Sequence, residues 1–215
     1  MGRILDFLFP PRCVFCRGIL KKDEADVCAA CAAGLPETEG AGARQTGEFF
    51  EYCMAPLFYT GPVRASIHRF KFRGKAGYGV YFAGRMAKCV RENCRDEIDL
   101  VTWVPISKKR LRKRGYNQSQ ILAEELARLL CLPAEATLGK IGDNPPQSSL
   151  KGAEKRRANV LNMYRCLPGQ DISGKRILLV DDVVTTGATL AECARELLMA
   201  GAETVVCCAV ARSGK

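Results

Sequence analysis

The chain has 215 residues, 47% of them hydrophobic, and its 33 Lys and Arg residues outnumber its 23 Asp and Glu residues. This length can bury one full-sized core, or a moderate core beside a small module, so we expect one large and one small domain. No apolar run approaches the ~20 residues that cross a bilayer, and the first residues lack the apolar stretch of a secretory signal. We therefore predict a cytoplasmic protein without a membrane span.

Cysteine is unusually frequent, with 12 residues. In a reducing compartment, regularly spaced cysteines indicate metal ligands and not a disulfide framework. Cys13 with Cys16 and Cys28 with Cys31 form two CxxC pairs separated by eleven residues. Four thiolates on one tetrahedral ion are typical of structural zinc, which leaves no open position for catalysis. The other eight are interpreted as core residues: Cys53, Cys89, Cys94, Cys131, Cys166, Cys193, Cys207 and Cys208.

The domain boundaries follow from the change in patterning. We assign residues 1–36 to the zinc module, which would obtain from the ion the folding energy that so short a segment cannot obtain from a core. Residues 37–48 are polar and glycine-rich, as in a linker. Residues 49–215 form the large domain.

Strand and helix patterns alternate in the large domain. Buried strands are predicted at residues 99–106, 176–182 and 204–210, and helices at 80–94, 118–130 and 188–200, with Gly201 after the last helix. Alternation of this kind favours an α/β fold with a parallel sheet, whose ligands bind beyond the carboxyl ends of the strands.

Positive charge is concentrated in three clusters. Residues 107–114 hold six cations in eight positions. The second cluster comprises Arg69, Lys71, Arg73 and Lys75, and the third Lys151, Lys155, Arg156 and Arg157. Such clusters attract polyanions such as pyrophosphate or a nucleic-acid backbone, but each is equally compatible with a solvated surface.

The strand at residues 177–180 leads into an acidic pair and a threonine-rich loop. Asp181 and Asp182, when ionised, accept hydrogen bonds and so suit the two hydroxyl groups of a vicinal diol. The following helix would present unpaired N–H groups that favour a phosphate. The candidate phosphate-binding residues are Val184, Thr185, Thr186, Gly187, Ala188 and Thr189. The segment therefore predicts a sugar phosphate site; the alternative is an ordinary turn in which Asp and Thr cap a helix.

Residues 176–190 resemble the motif that binds phosphoribosyl pyrophosphate (PRPP) in type I phosphoribosyltransferases. Residues 104–119, which include the sequence RGYNQ, and residues 147–160 are similar to the ComF family of competence and DNA-utilisation proteins, whose members also carry an amino-terminal four-cysteine zinc module. The similarity covers nearly the whole chain. It implies an α/β, type I phosphoribosyltransferase-like parallel sheet flanked by helices. Some relatives carry further cysteine pairs after the first four cysteines. This chain has only the single Cys53 there, which puts a second metal site in doubt.

The resemblance implies roles for individual residues. Asp181 and Asp182 would bind the ribose, and Arg114 with Gly115 would bind the pyrophosphate, since residues 108–118 form a basic loop at the same sheet edge. We count Asp181, Asp182 and Arg114 as candidate catalytic residues. Gln147 and Arg157 would belong to a flexible loop that closes over PRPP, although a structural role for Arg157 is equally compatible. Asn117 and Gln118 could bond the ligand, or they could cap the next helix, which is the simpler role for Asn117.

Two functions fit these features. The first is Mg²⁺-dependent transfer of a phosphoribosyl group from PRPP to an amine or base that the sequence does not identify. The second is a PRPP-binding protein of DNA uptake, in which the basic clusters engage single-stranded DNA and Phe70, Phe72 and Tyr116 stack on its bases. Magnesium is expected only with PRPP, because substrate phosphates and one or two carboxylates usually hold it. The competence machinery is a further candidate partner.

Overall fold

The structure, a computed structural model, describes residues 10–72, 77–142 and 161–214. Its helices are α1 Ala29–Ala33, α2 Gly61–Phe72, α3 Tyr78–Asn93, α4 Lys108–Arg114, α5 Gln118–Leu130 and α6 Ala188–Met199. Its strands are β1 Arg44–Gln45, β2 Cys53–Met54, β3 Leu57–Phe58, β4 Leu100–Trp103, β5 Leu138–Lys140, β6 Tyr164–Cys166, β7 Arg176–Val184 and β8 Thr204–Arg212. None of the helices in these ranges has the length and apolarity needed to span a membrane. Gln147, Arg157 and the third basic cluster lie outside the described residues.

The main sheet has the strand order β1-β2-β8-β7-β4, and β3 also pairs with β8. Every pairing is parallel except that of β1 with β2. The predicted α/β fold with a parallel sheet is thus confirmed, with one short antiparallel strand added at an edge. The long central strands β7 and β8 are apolar over most of their length and buried on both faces, as parallel strands covered by helices usually are.

Alternate residues of β7 face two different cores. Leu178 and Val180 pack with residues of α2, α3 and α5 on one face of the sheet. Ile177 and Leu179 pack with residues of α6 on the other face. This period of two places helices on both sides of the sheet and leaves the carboxyl ends of the strands for the loops.

The amino-terminal module packs directly on the large domain. Val14 and Phe15 are buried in the same core as Phe82 of α3, and the ring of Phe15 meets that of Phe82 edge-on at 6.3 Å between centroids. Ser66 Oγ of α2 donates to the carbonyl oxygen of Val14 at 2.7 Å. Arg69 of α2 donates to the carbonyl oxygens of Val14 and Phe15.

The segment predicted to be a linker contains ordered structure. Arg44 and Gln45 form β1, and the backbone N–H of Thr38 donates to the carbonyl of Pro56 at 3.0 Å. Glu37 pairs with Arg85 of α3 at 2.6 Å. Residues 37–48 therefore connect the module to the sheet through fixed contacts, while the domain boundaries themselves remain a prediction.

Three expectations need correction. The basic segment after β4 is a helix, α4, and not a loop, because Ser107 caps it by accepting from the N–H of Arg110. Phe70 cannot stack on a base, because it is fully buried on the inner face of α2. Cys131 is exposed at the end of α5 and is not a core residue.

The outer edge of β4 is covered by the chain that follows α5. The N–H of Val101 donates to the carbonyl of Pro133 at 2.9 Å, and the N–H of Glu135 donates to the carbonyl of Val101 at 3.1 Å. Thr102 Oγ1 adds a hydrogen bond to the carbonyl of Glu135 at 2.9 Å.

Candidate functional site

Asp181 and Asp182 lie near the carboxyl end of β7, where the sequence placed them. Strand β7 runs two residues further than predicted, to Val184, because Val183 and Val184 stay in register with β8. Asp181 Oδ1 accepts from Ser119 Oγ of α5 at 2.9 Å and from the backbone N–H of Asp182 at 2.8 Å. The Asp181 carboxyl group thus occupies a fixed position at the sheet edge where parallel folds bind their ligands.

The Asp181 carboxyl group resists ionisation. Burial and the neighbouring charge of Asp182 raise the pKa of Asp181 to about 7. Lys71, the N–H of Asp182 and the Ser119 hydroxyl oppose this rise. A carboxyl group with a pKa near neutrality, in a cleft and beside a second acid, is a frequent property of functional sites.

The threonine-rich loop leads directly into α6. Gly187 is the N-cap residue, with φ of +78°, a conformation that side chains other than glycine's rarely adopt. Since glycine has no side chain, the cap leaves the N–H groups of the first turn without a side-chain hydrogen bond from that position. Asp181, Thr185, Gly187 and Thr189 line a common small depression. The loop and helix start thus have the form of an anion site.

Arg114 lies at the same sheet edge, close enough to Asp182 and Asp181 for their charges to favour its cationic form. Its Nη1 donates to Gln118 Oε1 at 2.7 Å, and its guanidinium lies over the ring of Phe72 at 4.5 Å. Burial lowers the pKa of Arg114 from its ordinary value, and the two carboxylates oppose that change. A planar donor fork held in this way suits phosphate oxygens.

Gly115 and Asn117 have structural roles in this region. Gly115, with φ of +83°, ends α4 and donates its N–H to the carbonyl of Leu111 at 2.8 Å. Asn117 caps α5, since its Oδ1 accepts from the N–H of Ser119 at 3.1 Å. The capping alternative for Asn117 is therefore confirmed. Both residues fix the path of the chain between Arg114 and Ser119.

Lys71 is a site residue that the sequence did not single out. It was placed within the second basic cluster, yet its Nζ lies 2.7 Å from Asp182 Oδ1. Arg69 of the same cluster is turned to the zinc module, so these two cations do not form a polyanion surface. One signal was available in the sequence: Lys71 follows Phe70, a core residue of α2, which brings its backbone close to the buried side of the helix.

The four predicted metal ligands meet at one point. The Sγ atoms of Cys13, Cys16, Cys28 and Cys31 all lie within 4.8 Å of one another, and Cys16 and Cys28 are 3.7 Å apart. Zinc bound to four sulfur atoms at about 2.3 Å requires sulfur–sulfur edges of about 3.8 Å. The cluster therefore fits a tetrahedral zinc ion. Within the described part of the chain it is the single group of this kind, and Cys53 is buried in β2.

The thiols also need a cation to ionise together. Burial raises the pKa of Cys13, but backbone hydrogen bonds at Cys28, Cys16 and Phe15 outweigh it and lower that pKa to about 6. Burial and the three neighbouring thiols raise the pKa of Cys31 to about 12. Zinc would remove this conflict, because a divalent ion stabilises all four thiolates at once.

Comparison with known proteins agrees with this architecture. Residues 76–215 match the phosphoribosyl transferase domain family, and residues 4–56 match the double zinc ribbon domain family. The large domain is thus a phosphoribosyltransferase domain, and the ribbon match and the thiol cluster both support structural zinc.

Individual relatives define the family more narrowly than the two domain matches do. The chain is 30% identical to Competence protein ComFC of Bacillus subtilis, over 88% of this chain and 78% of that protein. It is 29% identical to DNA utilization protein YhgH of Salmonella typhi, over 91% and 94% of the two chains. The chain belongs to the ComF family of competence and DNA-utilisation proteins. The glutamine PRPP amidotransferase of B. subtilis aligns with 63% of this chain and 26% of its own, at 24% identity and a TM-score of 0.39.

Proposed function

We propose that this protein binds PRPP with Mg²⁺ at the carboxyl edge of its sheet and acts in DNA uptake or utilisation. The observation that carries the proposal is the position of Asp181 and Asp182 near the end of β7, from which residues 183–186 lead to a glycine-capped helix start. The names of the relatives supply the cellular context. The acids would accept from the ribose hydroxyls, and residues 184–189 would hold the 5-phosphate.

Arg114, whose charge lies close to both acids, would contact the pyrophosphate. Mg²⁺ bound to PRPP would neutralise the pyrophosphate oxygens, and Asp181 and Asp182 are the carboxyl groups at this edge that could help to hold it. The pocket therefore combines hydroxyl acceptors, a phosphate loop and a cationic side chain at one edge. Such a pocket would act on PRPP by holding it in position and by stabilising its charges.

A thermal-shift titration with PRPP and Mg²⁺ tests the site. The wild-type melting temperature should rise with ligand concentration, because a ligand that binds only the folded state stabilises it. Asp181→Asn/Asp182→Asn should lose this rise. Asp171→Asn, at an exposed position before the amino end of β7, is the matched control and should keep it. An unchanged response in the double variant would refute the site.

A second candidate function is catalysis of phosphoribosyl transfer. It is favoured by the proximity of the Arg114 cation to Asp181 and Asp182, since the acids would hold the ribose and the cation would stabilise the departing pyrophosphate. Pyrophosphate release, measured with PRPP against a panel of bases and amines, would establish it. Release that depends on one acceptor and disappears in Asp181→Asn/Asp182→Asn is the expected result. Hydrolysis that is independent of every acceptor would argue against a transferase.

Direct contact with single-stranded DNA is a separate part of the proposal. Helix α4 has no acidic residue in its first turn and exposes Lys108, Lys109, Arg112 and Lys113. Lys108→Glu/Lys109→Glu/Lys113→Glu should weaken DNA binding and flatten its salt dependence, because each phosphate contact releases counterions. Lys21→Glu/Lys22→Glu, exposed in the zinc module, is the control. Equal loss in both variants would argue against α4 as the contact.

A further inference from the structure

Packing and hydrogen bonds fix the last turn of α2, and this turn carries Lys71. Helix α2 buries Val63, Ile67 and Phe70, which fixes its last turn against the core. The Tyr116 hydroxyl donates to the carbonyl of Phe70, and Gln118 Nε2 donates to the carbonyl of Lys71 at 3.5 Å. The segment that carries Arg114 therefore also fixes the position of Lys71.

The Lys71–Asp182 pair is largely removed from water, with side-chain exposures of 21% and 11%. Burial alone would lower the pKa of Lys71, but Asp182 and Asp181 outweigh it and raise that pKa above its ordinary value. The side chain is therefore an ammonium group. A buried ion pair contributes little net stability, because desolvation offsets the attraction between the charges. The position of this ion pair next to a second acid, Asp181, therefore points to a role other than stability.

Each acid of the pair has its own orienting partner. Ser119 and a backbone N–H hold Asp181, and Lys71 holds Asp182. An ionised carboxylate offers about four acceptor positions, so one bond to Lys71 leaves the others for hydroxyl groups. Without the ammonium group, the two carboxylates would repel each other and Asp182 would lose its fixed direction.

We propose that Lys71 is a positioning residue, which orients Asp182 and allows the adjacent Asp181 and Asp182 to accept together from a vicinal diol. The inference rests on the proposed binding of a ribose 5-phosphate at this site. It assigns discrimination between sugars with and without the diol to a residue of α2, outside the strand and loop that carry the acids.

The test compares ribose 5-phosphate with 2-deoxyribose 5-phosphate by calorimetry. Wild-type protein should bind ribose 5-phosphate about tenfold or more tightly, because the deoxy sugar lacks one hydroxyl group. The lost hydrogen bond to a charged acceptor changes the affinity by at least about that factor. Lys71→Met should reduce the preference to less than about threefold, while Lys71→Arg should keep most of it. Lys88→Met, which removes an exposed pair with Glu92 on α3, is the matched control and should behave as wild type.

Other outcomes overturn the inference in distinguishable ways. An unchanged preference in Lys71→Met leaves the proposed function intact and removes this role from Lys71. Equal losses for both sugars and for inorganic phosphate identify Lys71 as a phosphate contact. Tighter binding identifies it as a competitor for Asp182. Wild-type protein that binds neither sugar overturns the inference, while its thermal-shift response to PRPP and Mg²⁺ decides the proposed function separately.

A measurement without ligand guards against misfolding of the variant. The free energy of unfolding is measured for wild type, Lys71→Met, Asp182→Asn and the double variant. Lys71→Met alone should leave an uncompensated charge, and Asp182→Asn should relieve that cost, so the effects should not add. Strictly additive effects would contradict the pairing of the two residues.

Discussion

The Asp181 carboxyl group is buried beside the charge of Asp182, an environment that disfavours its ionised form. Ionised Asp181 should therefore lower the stability of the fold at neutral pH. Its pKa of about 7 in the folded protein exceeds the value of about 3.9 in an unfolded chain. Between these values the unfolded state releases a proton that the folded state keeps. The contribution of Asp181 to stability is therefore lost progressively as pH rises from about 4 to 7.

Asp181→Asn should accordingly be more stable than wild type at pH 8, and the gain should shrink towards pH 4. Asparagine can still accept from Ser119 Oγ and from the N–H of Asp182 while carrying no charge. Urea unfolding at pH 4 and pH 8 measures the difference. Asp171→Asn, at an exposed position, serves as the control. A destabilised Asp181→Asn at pH 8 would contradict the argument.

Gly187 is required for the geometry of the phosphate loop. A Cβ atom at this position would lie 3.4 Å from the ring of Phe50, and the φ of +78° disfavours any side chain. Gly187→Ala should cost about 1–2 kcal/mol of unfolding free energy and weaken PRPP binding. Gly84→Ala, within α3 and with open space around it, should instead stabilise by up to about 1 kcal/mol. Chemical denaturation of both variants checks the contrast.

At the scale of elements, α2 joins the zinc module to the pocket. Arg69 satisfies the carbonyl groups of Val14 and Phe15, whereas Lys71, two residues on, reaches the acid pair. One short helix thus presents cations in two directions, because successive residues of a helix are about 100° apart. A substitution that removes the contacts between α2 and the zinc module should therefore lower the free energy of unfolding of the whole domain.

Arg69→Met should lower the free energy of unfolding by about 1–3 kcal/mol, because it leaves a buried carbonyl group without its donor. Arg64→Met removes the same charge at an exposed position of the same helix and should change stability by less than about 0.5 kcal/mol. Denaturant titrations of the two variants provide the comparison. Equal effects would show that the loss of charge, and not of the hydrogen bonds, is responsible.

Local patterns were sufficient for the longest elements. Helix α5 was predicted with its observed bounds, and Gly201 follows α6 with φ of +100°, as expected of a C′ glycine. Helix α4 was missed because six cations in eight residues show no hydrophobic period, and its start depends on the Ser107 cap. The two-residue strands β1 to β3 carry too few residues to show a period of two.

The site was predictable to the extent that it is local in sequence. Asp181 and the residues up to Thr189 form one continuous segment, so strand, loop and helix signals coincide there. The contacts of Lys71 and Ser119 with the acids join residues more than 60 positions apart in sequence. Their pairing depends on the packing of α2 and α5 against β7, which no short motif specifies.

At the scale of the whole molecule, the module and the large domain should unfold together. Val14 and Phe15 belong to the same buried cluster as residues of α2 and α3. Removal of zinc by a chelator should therefore lower the melting temperature of the entire chain in a single transition. Calorimetry with and without chelator measures this, and Cys13→Ser/Cys28→Ser should reproduce the chelated state. Two separate transitions would contradict the shared core.

In the described part of the chain, one edge of the main sheet is very short and the other is covered. Strand β1 ends one side after two residues, and the backbone of residues 133–135 occupies the outer side of β4. Unpaired edges are the usual starting points for pairing between chains. The long apolar strands β7 and β8 are shielded between their neighbours, so the native chain should resist amyloid-like association at high concentration even though its centre is rich in valine and cysteine.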